Sequence, residues 1–206
     1  TWTHFVMRFQ QFTGPLMAKA VEDTSFYIYN RLLSLNEVGG NPNKFGYSRA
    51  EFHAFNLKRA KSWPHSLNAT STHDVKRGED VRARLNVLSE IPDEWGAICE
   101  EWQRINSPKK RRVKGRSVPD SNDEYFLYQT LLGTLPFEAE QYPEFKERLS
   151  AYIIKAVREA KVYTAWLKPD TDYENAYLAF LDEILTFSDQ DPFWRSFSSF
   201  QKKIAG

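Results

Sequence analysis

The sequence predicts a mainly α-helical fold with one short strand standing alone. Three observations lead there. Apolar residues recur three and four apart along nearly the whole chain of 206 residues. The periodic stretches carry helix punctuation: Ser48 with Glu51, Pro92, Asp120 and Asp191-Pro192 at their starts, and Gly39-Gly40 and Gly133 at their ends. Only residues 67–71, Leu-Asn-Ala-Thr-Ser, read as a strand.

In chain order, residues 3–12 form a helical pattern stopped at Gly14-Pro15. Residues 16–35 form a longer one, ended by Gly39-Gly40 and the Asn41-Pro42-Asn43 turn. The capping box Ser48-Arg-Ala-Glu51 opens a helix running to Trp63 and closed by Pro64. After the strand, residues 79–90 place Val81, Leu85 and Leu88 on one helical face, and Pro92 starts a helix to Asn106. Residues 107–119 read as a loop. Further helices are expected over 123–132, from Pro143 through Trp166, over 172–187, and from Pro192 to Lys203. A lone strand leaves both backbone edges unpaired, which is costly when buried. Its partners are therefore expected outside this chain, and the start at Thr1 rather than Met fits a piece of a longer protein.

Composition limits the function classes. With 28 Lys+Arg against 27 Asp+Glu, bulk charge favours neither nucleic acid nor a membrane surface as partner. No apolar run approaches the roughly 20 residues of a membrane span, and no signal peptide is visible. The single cysteine, Cys99, precludes an internal disulfide and suits a reducing, cytoplasmic setting; it reads as a small core residue. An aromatic fraction of 15% supplies both helix–helix core and rings that stack on sugars. No metal-ligand spacing, nucleophile elbow or dinucleotide fingerprint occurs, so neither metal nor cofactor is expected.

Four constellations carry candidate chemistry. The first is His73-Asp74, followed by Lys76, Arg77, Glu79 and Asp80. A carboxylate accepts two O–H donors and an imidazole donates to a third group, so this pair suits vicinal sugar hydroxyls. Equally, Asp74 could cap the following helix. The second is a stripe of Lys19, Glu22, Asp23, Phe26, Tyr27 and Asn30, spaced as one helical face; it reads as a polar and aromatic cleft wall or as an ordinary surface with a Lys19–Asp23 pair. The third, Asn36-Glu37-Val38-Gly39-Gly40, reads as a helix stop. The fourth is a charged helix face over residues 155–166. A basic run over 109–116 could contact phosphates, which keeps open a freestanding helical binding module.

Several motifs in fixed order resemble one family. Met17-Ala-Lys-Ala-Val-Glu-Asp-Thr24, Leu33-Ser-Leu-Asn-Glu-Val-Gly-Gly40, Ala69-Thr-Ser-Thr-His-Asp74, Lys76-Arg-Gly-Glu-Asp-Val-Arg-Ala-Arg84 and Tyr128-Gln-Thr-Leu-Leu-Gly133 are similar to the maltooligosyltrehalose synthases, members of the α-amylase clan. Ala20 and Val75 depart from the common pattern, where Gly and Thr are usual. The resemblance implies helical insertions flanking one strand of an incomplete (β/α)8 barrel: residues 1–66 as a first insertion, 67–90 as barrel strand seven with its helix, and 91–206 as a second insertion before strand eight. It implies an intramolecular transglycosylation that turns the reducing-end α-1,4 bond of a maltooligosaccharide into an α,α-1,1 bond. Asp74 would be the clan's third essential carboxylate and His73 its sugar-binding neighbour. The nucleophile and the acid/base would lie outside this chain, leaving it inactive alone. Lys76, Arg77, Lys19, Glu22, Asp23 and Tyr27 would complete the sugar contacts, and an exposed former barrel face could drive self-association. A hydrolase of the same clan is the near alternative.

Overall fold

The computed structural model describes residues 1–205. Its helices are α1 (Trp2–Met17), α2 (Arg49–Ser62), α3 (Glu79–Val87), α4 (Pro92–Asn106), α5 (Ser121–Thr134), α6 (Tyr142–Ala160), α7 (Thr171–Ile184) and α8 (Pro192–Ala205). The chain is mainly helical, as its periodicity predicts. None of these helices is long and apolar enough to cross a membrane.

The core forms where α4, α5 and α8 converge on Trp102. This fully buried indole has ring centroids of Tyr128, Phe197, Phe193, Phe200 and Trp95 within 5.3–5.9 Å. Edge-to-face and tilted pairs at this spacing add about 0.5–1.5 kcal/mol each beyond area burial. The expected stop at Gly133 does not occur, because α5 continues to Thr134. Gly133 serves packing instead: a Cβ there would lie 2.6 Å from Val81 Cγ1, so its absence lets α3 approach α5. Cys99 is buried in this core, and burial pushes its thiol up.

The helix expected over residues 16–35 is not continuous. α1 passes through Pro15, the ladder widens to a π-helical turn (Ala18–Glu22), and Asp23 N–H donates to Ala18 O at 2.8 Å. Pro15 brings no N–H to the ladder, which loosens it. The hydroxyls of Thr24 and Ser25 then donate to the carbonyls of Lys19 and Ala20, ending the helix. Side-chain amides take over from there. Gln129 accepts from Leu33 N–H and donates to Asn30 O, both at 2.8 Å, and Asn36 donates to the carbonyls of Phe26 and Tyr29. Residues 25–36 thereby dive into the core as two short 3-10 turns rather than lying along a helix face.

Two further expectations are corrected. Residues 107–119 are not a loop throughout: β1 (Arg111–Val113) and β2 (Arg116–Val118) form an antiparallel hairpin. Its turn residues Lys114 and Gly115 both have positive φ, the geometry that matches strand twist in a two-residue hairpin. The helix expected to Trp166 ends at Ala160, where Lys161 turns left-handed at φ 57°. The following turn is built by side chains: Glu174 receives two bonds from Arg158, at 2.8 and 2.6 Å, and one from the Thr164 hydroxyl at 2.6 Å.

Residues 67–71 do not form a strand among the described residues. They have no ladder partner, the backbone bends at Thr70 and Ser71, and Leu67 is fully exposed. α1 and α2 likewise bury no side chain. The capping box at Ser48 is present as expected, with Glu51 N–H donating to Ser48 Oγ at 3.2 Å and Ser48 N–H donating to Glu51 Oε2 at 2.8 Å.

Candidate functional site

The site gathers three short segments around the end of the unpaired stretch. Residues 72–75 make a turn in which Val75 N–H donates to Thr72 O at 3.3 Å and Asp74 sits left-handed at φ 61°. Asp is among the few residue types that adopt this conformation readily. His73 Nε2 lies 3.1 Å from Asp74 Oδ2, and the two side chains are 94% and 72% exposed. Asp74 therefore does not cap α3, whose N-cap is Gly78. It stands at the tip of a turn, free to accept hydroxyls.

Immediately after the tip, the chain is gripped. Lys76 N–H donates to Glu37 Oε1 at 2.6 Å and Arg77 N–H to Glu37 Oε2 at 3.2 Å. The Lys76 ammonium lies 2.7 Å from Asp23 Oδ1, and Lys19 Nζ lies 2.5 Å from Asp23 Oδ2. Burial pushes the Asp23 carboxyl up, but hydrogen bonds from Lys19 and Lys76 outweigh it and hold the group below its usual range. Lys19 is raised by its hydrogen bond to Asp23. The result is a Lys19–Asp23–Lys76 bridge beside Asp74, with donors and acceptors suited to several hydroxyls. Lys161 Nζ donates to Thr24 Oγ1 at 2.9 Å and ties the end of α6 to the same segment.

Not every expected site residue points outward. Tyr27 is buried, with Lys76 Nζ 5.9 Å from its ring, and burial pushes its hydroxyl up. Arg77 is 9% exposed; its guanidinium donates to Leu33 O at 3.2 Å and to the Tyr152 hydroxyl at 3.4 Å. Both therefore support the site from below. The single helical face expected for Lys19 through Asn30 is broken at residue 23, which is why Tyr27 and Asn30 turn into the core while Lys19 stays exposed. Glu22 is a strut too, its Oε1 accepting from Gly39 N–H at 3.0 Å. In the sequence Glu37 stands in a helix stop that is also part of a family-like motif, and nothing local announces its grip on residues some forty positions away.

Half of the basic run is neutralised: three of its six cations are paired with carboxylates. Lys109 pairs with Asp191 at 2.9 Å, Lys110 with Glu124 at 2.6 Å, and Lys114 with Asp170, while the Arg116 guanidinium lies 5.4 Å from the Tyr163 ring centroid. Such pairing leaves Arg111, Arg112 and Arg116 as the charges exposed on the hairpin.

No family model matches the chain. A curated relative from Mycobacterium tuberculosis (strain H37Rv), named provisionally as a maltooligosyl trehalose synthase, is 42% identical over 179 residues, which is 87% of this chain and 22% of the relative. The crystal structure of a hypothetical maltooligosyl trehalose synthase from Sulfolobus tokodaii is 45% identical with a TM-score of 0.83, covering 97% of this chain and 26% of that one. The maltooligosyltrehalose synthase structure from Arthrobacter ramosus is 34% identical with a TM-score of 0.79, over 97% and 24%. The chain thus spans about a quarter of the length of the proteins it matches. In sequence and in fold, it is homologous to one stretch of the maltooligosyl trehalose synthases.

Proposed function

We propose that this chain is part of an enzyme that converts the reducing-end α-1,4 linkage of a maltooligosaccharide into an α,α-1,1 linkage by intramolecular transglycosylation. The observation that carries the reading is the likeness to maltooligosyl trehalose synthases over 97% of the chain, with the His73-Asp74 turn set beside the Lys19–Asp23–Lys76 bridge. Asp74 holds hydroxyls of the sugar at the cleavage site and strengthens those bonds as the ring flattens toward an oxocarbenium ion. His73 donates to a neighbouring hydroxyl. Lys76 and Lys19 hold the released glucose while its anomeric hydroxyl turns toward the intermediate, and the helical cover keeps water away. Arg77, Glu22 and Tyr27 brace these groups.

Retaining chemistry of this type uses a nucleophile and an acid/base about 5 Å apart. We assign neither within this chain, and expect no turnover from the 206 residues alone. Residues 67–71 act as strand seven of a (β/α)8 barrel whose neighbouring strands come from the rest of the polypeptide, with 1–66 and 91–206 as insertions on either side of the strand-and-helix unit 67–90. Support comes from the exposed, unpartnered backbone around Leu67 and from the bare aromatic faces of α1 and α2, which barrel strands and helices would cover. Without that cover, these faces favour self-association. The setting is cytoplasmic.

The test is to incubate the full-length polypeptide with maltopentaose and follow reducing ends and product mass. Loss of reducing ends at unchanged mass is expected, with activity reduced by a factor on the order of 100 to 1,000 in Asp74→Asn. Release of glucose with a gain of reducing ends would instead mark a hydrolase of the clan.

A further inference from the structure

We propose that Glu37 is the positioning residue that aims Asp74 and Lys76, an inference that rests on the function proposed above. Its carboxylate accepts from four donors: its neighbour Val38 N–H at 2.9 Å, Lys76 N–H at 2.6 Å, Arg77 N–H at 3.2 Å and Arg82 Nη1 at 3.4 Å. The two consecutive amides Lys76 and Arg77 are split between its two oxygens. Only an ionised carboxylate accepts on both sides in this way; a glutamine would turn an N–H toward an N–H.

The foundation under Glu37 is rigid. Asn36 is bonded to the carbonyls of Phe26 and Tyr29, Gly39 N–H to Glu22, and Gly40 N–H to Glu37 O at 2.7 Å. A Cβ at Gly40 would lie 2.8 Å from Glu37 O, so the loop closes this tightly only with glycine. From that base, Glu37 fixes the peptide plane just beyond Val75. Asp74 has a neighbouring imidazole as partner and one backbone bond across its turn, so its direction is set largely by where residue 76 is pinned. The same bond delivers Lys76 to Asp23. Transfer to a retained glucose rather than to water depends on placement, and a misplacement of about 1 Å from a distant change can cost on the order of 100-fold.

The experiment compares wild type, Glu37→Gln and Glu37→Asp in the full-length polypeptide. It measures kcat and KM on maltopentaose, the ratio of released glucose to isomerised product, and hydrogen exchange at the Lys76 and Arg77 amides. Glu37→Gln is expected to lower kcat about 10- to 100-fold with little change in KM, raise the share of glucose, and speed exchange at both amides. Glu37→Asp keeps the charge but withdraws it by one methylene, and is expected to shift each readout the same way by less; it carries the test if the glutamine variant does not fold. Unchanged kcat and product ratio in a wild type that isomerises, whatever the thermal midpoint does, would overturn this inference alone, as would unaltered exchange at Lys76 and Arg77. A wild type that does not isomerise would overturn the functional reading, and this catalytic role with it.

Discussion

α1 and α8 are both rich in aromatics, yet they meet opposite fates. α8 buries Phe193, Phe197 and Phe200 against α4 and α5, and Trp194 against Tyr142 and Phe187. α1 exposes Trp2, Phe5, Phe9 and Phe12, with Trp2 at 84%. α2 behaves like α1, exposing Phe52, Phe55 and Leu57. Apolar side chains make a helix sticky, but burial needs an opposing surface, and among the described residues α3 to α8, the β1–β2 hairpin and residues 25–36 supply one to each other. The comparison separates a self-sufficient body from two helices whose partners we place elsewhere in the polypeptide.

The sharpest test of this contrast pairs two truncations. Trp102→Ala should cost roughly 3–5 kcal/mol, because it empties a site ringed by five aromatics. Phe5→Ala and Phe55→Ala should change the stability of this chain by less than about 0.5 kcal/mol in chemical denaturation, since both rings are exposed. In the full-length polypeptide the same two changes should become costly. If they stay neutral there, those faces are not covered and the comparison fails.

Gly133→Ala comes next. The added methyl meets Val81 Cγ1 at 2.6 Å, so overpacking of about 1–3 kcal/mol should outweigh the gain in helix propensity of about 1 kcal/mol. A higher urea midpoint would show that α3 and α5 separate easily.

Within the body, pH offers a further probe. Burial pushes the Asp123 carboxyl from 3.8 up to about 6; the Tyr173 hydroxyl bond pulls it down and the charge of Asp120 raises it again. The folded chain therefore binds the extra proton between pH 3.8 and about pH 6, and this group's contribution to stability falls as pH rises through that window. Asp123→Asn should remove that part of the slope in urea midpoints measured from pH 4 to pH 6. An unaltered slope would show that the carboxyl is ordinary.

The smallest effect concerns α2. Ser48→Ala removes the capping box, worth about 1 kcal/mol to the helix. Because α2 buries no side chain, the loss should appear as local fraying in helical NMR shifts while the main unfolding transition stays put. A shifted transition would mean that α2 is coupled to the body after all.

Helix starts were the most legible part of the sequence. Ser48, Asp120 and Asp191 cap observed helices and Pro92 is the first residue of another, because a capping side chain reaches only the next few amides and proline's fixed φ suits a first turn. Helix ends were less so. The ends at Thr24 and Lys161 depend on hydroxyls that compete for carbonyls and on a non-glycine residue turning left-handed, and neither marks itself by spacing. Of the site, Lys19–Asp23 was visible as an i,i+4 pair, and His73-Asp74 as a dipeptide. The inward turn of Tyr27 and Arg77 was not, because it follows from the break after the π-helical turn and from the reach of Leu33 O and Tyr152.

By itself, the sequence determined the helical class, the capped starts, the small buried role of Cys99 and the family resemblance, since each rests on residue types within one or two turns of chain or on motif order. Tertiary structure alone decided which aromatics are core, why Gly133 is glycine, which lysines of the basic run are paired, and that Glu37 grips the amides beyond Asp74. These depend on groups far apart in sequence meeting in space, and no local pattern encodes the distance between them.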